Sequence, residues 1–124
     1  MKHALAPVAA LAALVALPSS AQDAAAPPAQ LSLEQRTGLR CAAAFALLAQ
    51  AQARGDAEAL SLPPLAQRGR EFFVRFSAQL MDDRGLTREA VAGLIGDEAR
   101  ALSTGDTLQQ VTPACLILLD ASGV

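Results

Sequence analysis

Two cysteines, Cys41 and Cys115, stand far apart in a chain whose N-terminus has the layout of an export signal. Lys2 and His3 precede an apolar run from Ala4 to Leu17, and Ser19-Ser20-Ala21 follows. A basic start, an apolar middle and a small-residue end make the three-part pattern of a secretory signal peptide. The apolar run is shorter than the roughly twenty residues that span a bilayer as a helix, and no later stretch is long and uncharged enough to do so. Residues 1–21 are therefore expected to be cleaved, leaving a periplasmic or secreted chain with no integral membrane segment. In an oxidising compartment an even cysteine pair reads as a structural disulfide. The competing readings are two buried reduced thiols or a redox-active pair, the latter favouring the close spacing of C-x-x-C and a polar setting.

Loss of the signal changes the chemistry that remains. The single Lys and the single His both leave with it, and the rest carries nine arginines against twelve acids, a net charge of −3. A mildly acidic chain without a basic stripe makes nucleic acid a poor partner. Trp and Tyr are absent and only four Phe are present, so platforms for stacking on bases are few. Residues 22–30 are small, polar and proline-bearing. A disordered leader is expected over 22–31 and a single folded domain over 32–124. A domain this small buries a modest fraction of its surface, so a covalent staple would add much to its stability.

The apolar periodicity is helical throughout and predicts an all-α fold, about four helices in a small bundle. Ser32 and Gln35 match a capping box. Behind them Leu33, Thr37, Cys41, Ala44, Phe45 and Leu48 recur at three-and-four spacing, giving a first helix from Leu33 to Arg54 with Gly55 as terminator. A second helix is expected from Pro64 to just before Gly85, its inner stripe being Leu65, Gly69, Phe72, Phe73, Phe76 and Leu80. Gly69 on that stripe predicts a close helix crossing, and Glu71 and Arg75 make an i,i+4 pair. The third helix is capped by Thr87, with Leu86 placed to staple onto Val91, and presents Val91, Leu94, Ile95, Ala99 and Leu102. Pro113 would break a helix interior. A short turn from Asp106 to Val111 is thus expected, then a last helix capped by Thr112 with Pro113 at its first position. Cys115 to Leu119 is apolar nearly all round, which predicts the most buried element of the fold.

Placed on these helices, Cys41 and Cys115 both face the core, and a bond between them joins the first helix to the last. In the chain-entropy model such a long closed loop contributes roughly 4 to 5 kcal/mol. Other chemistry is sparse. Without His3 there is no histidine for a triad, a general acid or a metal site. Thiolates tied to each other cannot hold zinc, no acid grouping has calcium-loop spacing, and no metal or cofactor is called for. Asp82-Asp83 and Asp97-Glu98 are adjacent pairs that diverge around a helix and read as solvated faces. Arg68 and Arg75, seven residues apart on one helical face, form a candidate anion grip, although Glu71 between them suits a self-neutralised surface. The phenylalanines fit core filling better than a groove for a peptide or lipid.

The runs Arg40-Cys41-Ala42-Ala43-Ala44-Phe45, Pro63-Pro64-Leu65-Ala66, Arg68-Gly69-Arg70-Glu71-Phe72-Phe73 and Pro113-Ala114-Cys115-Leu116 resemble small exported proteins of alphaproteobacteria. That resemblance implies an exported helical protein with paired cysteines. In size, compartment and cysteine count the chain is also similar to the acid-stress chaperones of the bacterial periplasm. A non-enzymatic structural or interaction protein with a protein or peptide partner is the leading expectation, and a periplasmic chaperone or peptide binder using exposed apolar surface is the alternative. Protein taken unreduced from the exporting host and then denatured should show no reactive thiol. Two reactive thiols would overturn the disulfide.

Overall fold

A computed structural model describes residues 30–124; the signal segment and most of the leader fall outside these described residues. Five helices follow in order: α1 Leu33–Ala53, α2 Ala57–Leu60, α3 Arg68–Arg84, α4 Arg88–Leu102 and α5 Thr107–Ala121. The helical expectation holds, with one element more than the four read from periodicity. The addition is α2, a single turn that Asp56 caps by accepting a hydrogen bond from the Ala59 N–H. One turn is too short to display an apolar period, so only its cap was there to be read.

Helix α1 starts where its capping signature lies. The Gln35 N–H donates to Ser32 Oγ, and the Ser32 N–H donates to Gln35 Oε1, both at 3.0 Å. It ends at Gly55, whose φ of +80° is open to glycine at little steric cost. Leu31, expected in the leader, packs instead against the core. Thr87 caps α4 by accepting from the Ala90 N–H. Leu86, its expected staple, is half-buried against the core.

The start of α3 departs from expectation. Pro64 does not open it, and the helix begins at Arg68, because the preceding segment is held by a side chain of α1. Gln52 Oε1 accepts from the Leu65 N–H at 3.0 Å, and Gln52 Nε2 donates to the carbonyls of Ala59 and Pro63 at 3.0 and 2.9 Å. Backbone groups satisfied by this amide have no need of a helical partner.

The largest correction concerns α5. It begins at Thr107 and runs through Pro113, so the expected turn over Asp106–Val111 and the cap at Thr112 are both absent. Thr112 is buried within the helix, and its hydroxyl donates to the Leu108 carbonyl at 2.6 Å. Leu108, Val111, Thr112, Cys115 and Leu119 lie at helical spacing and are all buried or half-buried. Burying that face offsets the amide hydrogen bond that proline removes. Nor is α5 the most buried element, since Ile117 is 72% exposed.

That place belongs to α1, which packs against each of the other four helices. Ala42, Ala43, Ala44 and Phe45 are fully shielded from solvent, and Gly38, Leu39, Cys41 and Leu48 are buried. The expected stripe was too narrow and partly misaligned: Leu33 is 74% exposed and Thr37 is also exposed. The crossing foreseen at Gly69 is present, a Cβ there lying 3.0 Å from Phe45 Cβ. A second close approach was not foreseen. A Cβ on Gly38 would collide with the Phe76 ring. Phe45 meets Phe72 edge-on with ring centroids 5.2 Å apart, and Phe72 stacks with Phe76 at 6.0 Å. Gly69→Val, which adds volume against Phe45, should lower unfolding stability by about 1–3 kcal/mol, measured by denaturant titration with circular dichroism. An unchanged midpoint would contradict the crossing.

Candidate functional site

The cysteines meet as expected. Cys41 on α1 and Cys115 on α5 are joined, their Cα atoms 5.2 Å apart and 74 residues apart in sequence. Each is 2% exposed, so an external thiolate has little access to either sulfur without local opening. A shallow groove passes over the bond, with Arg36, Arg40 and Glu98 among its lining residues. Arg40 Nε meets Glu98 Oε2 at 3.1 Å and ties α1 to α4. Covalent and ionic ties therefore fix α1 to two different neighbours on one side of the molecule.

Arg68 and Arg75 do not converge on a shared anion site. Arg68 reaches the C-terminal end of α5, where Nη2 meets Asp120 Oδ1 at 2.9 Å and Nε donates to the Val124 carbonyl at 2.9 Å. Arg75 pairs with Glu71 on its own helix at 2.6 Å. One guanidinium closes the fold between α3 and the chain end, and the other decorates a helix surface. Both pairs are substantially exposed, and such pairs contribute about 0–1 kcal/mol. The expectation that Glu71 screens both arginines gives way, because Arg68 has a partner from distant sequence. Among the acid pairs, Asp97 bonds to Arg100 and Glu98 to Arg40, which fits surface roles.

Ser77 Oγ is buried without a hydrogen-bond partner.

A different feature is built by side chains that sequence reasoning assigned to core or surface separately. Between the start of α1, the C-terminal half of α3 and the end of α5 lies a groove of about 390 Å³. Phe72, Phe76 and Leu118 give it an apolar floor, and Glu34, Gln79 and Asp83 stand among its polar lining residues. Gly38 makes the floor: without a side chain there, the Phe76 ring lies directly on α1 and extends the stack from Phe72. Phe72 is 7% exposed and belongs to the core, whereas Phe76 is only half-buried. The helical stripe 69-72-73-76-80 was legible in sequence. Its open edge at Phe76 was not, because that edge exists only where α1 and α5 stop short of covering it.

No family model matches this chain, and neither a curated protein nor a solved structure does. Function must be argued from the residues themselves. Replacing both sulfurs, Cys41→Ala with Cys115→Ala, should lower stability by about 2–5 kcal/mol while leaving the helical circular dichroism at low temperature near that of the wild type. A loss below about 1 kcal/mol in denaturant titration would show that the bond closes a loop already held by packing.

Proposed function

We propose that this protein is exported to the periplasm and acts there as a non-enzymatic interaction module, holding a protein or peptide partner on a helical frame fixed by the Cys41–Cys115 bond. The observation that carries this reading is the groove between α1, α3 and α5, a cleft with Phe72, Phe76 and Leu118 in its lining and polar groups beside them. Clefts that combine apolar floors with a few polar groups are the usual form of a recognition site. The export pattern at the N-terminus and the buried disulfide support an oxidising compartment. No helix among the described residues is long and apolar enough to cross a membrane. The acidic balance of the chain after its signal argues for a protein or peptide partner over nucleic acid.

The chaperone alternative needs continuous apolar surface for unfolded clients. The large hydrophobic side chains most exposed here are Leu33, Leu60, Val74 and Ile117, one on each of four helices. That distribution favours a defined site over a broad client surface.

Affinity capture with cross-linking in the exporting host should recover a discrete partner in fixed proportion to the protein. An environment-sensitive apolar dye should show no rise in binding down to about pH 4, where Asp and Glu begin to protonate. A sharp rise at lower pH with the disulfide intact, together with heterogeneous captured proteins, would favour the chaperone and overturn the module.

A further inference from the structure

We infer that the groove between α1, α3 and α5 recognises a basic apolar peptide segment, one that offers an aliphatic side chain beside a lysine or arginine. This inference rests on the interaction reading above and names the partner's chemistry. Its basis is charge and shape together. The floor is made by Phe72, Phe76 and Leu118, and carboxylates enter the lining from two helices, Glu34 on α1 and Asp83 on α3. Among the described residues no Arg lines the groove. Among the described residues neither carboxylate takes part in an ion pair, so both are free to meet a cation.

Each part has a physical counterpart in such a ligand. The half-buried Phe76 ring, backed by Phe72 in the core, offers apolar area to an aliphatic chain, and an exposed aromatic face attracts a cation within about 6 Å. Glu34 and Asp83 can then accept charge-assisted hydrogen bonds from the ammonium or guanidinium. Gln79, on the same lining, supplies a neutral amide suited to a peptide backbone. An acidic or purely apolar segment would leave both carboxylates unpaired against a partly desolvated floor, which is unfavourable. The same complementarity favours encounter with a basic partner, because the chain beyond the signal is itself acidic.

The test uses the oxidised protein as exported and two amidated peptides, one alternating leucine with lysine and one alternating leucine with glutamate. Binding is followed by nuclear magnetic resonance. The basic peptide should shift resonances of Phe72, Phe76 and Gln79, and the acidic peptide should not. Because Glu34 and Asp83 are both exposed, the E34Q/D83N double variant should keep its fold, verified by circular dichroism. It should bind the basic peptide about tenfold more weakly, with the difference shrinking as salt is raised. Equal binding of the two peptides, shifts confined to another face, or undiminished affinity in the double variant would each overturn the assignment. If the partner captured in the host cross-links equally well to wild type and double variant, the groove assignment falls while the interaction reading stands.

Discussion

Ala42, Ala43 and Ala44 are all fully shielded from solvent, and a helix can be covered around so much of its circumference only if its own side chains take up little room. Helix α1 meets that condition over its middle. Three alanines follow Cys41, and Gly38 precedes it by one turn. Neighbours approach closely on several sides: α3 through Gly69 against Phe45, Phe76 against the bare backbone at Gly38, and α5 through the disulfide. Interiors pack at crystal-like density, so small residues on the central element are matched by large ones on its surroundings. Phe72, Leu80, Val91, Ile95, Leu102 and Leu119 supply that volume from α3, α4 and α5.

The polar ties are placed where this packing ends. Gln52 holds the α2–α3 connection onto the C-terminal end of α1, Arg68 closes the chain end onto α3, and Arg40 joins α1 to α4. The disulfide differs from these in kind. It acts on the unfolded chain by forbidding most of its open conformations, and its burial keeps it from exchange. A small domain with a modest core gains both an entropic restraint and a fixed spacing between α1 and α5. The groove at the other edge of α5 depends on that spacing, since Leu118 is one of its walls and lies one turn beyond Cys115.

Much of the architecture was readable from local signals. The capping box at Ser32, the cap at Thr87, the terminators Gly55 and Gly85 and the crossing at Gly69 each follow from chemistry confined to a few neighbouring residues. Pro113 was misleading for a physical reason. Its local cost is real, but a buried face running from Leu108 to Leu119 outweighs it, and propensity yields to tertiary burial. Gln52 could not be read at all, because a glutamine has many potential partners and only the folded path of residues 59–65 selects among them.

The sequence by itself determined the helical class, the helix ends set by caps and glycines, and the pairing of the only two cysteines. All of these depend on residue identity or on spacing within a turn or two. Only the tertiary structure decided that α1, not α5, is the enclosed element, and that Arg68 and Arg75 take separate partners. It also decided that Phe76 lies at an open edge beside Glu34 and Asp83. Those outcomes depend on which surfaces remain uncovered after distant segments pack, and periodicity along one helix does not record where its neighbours stop.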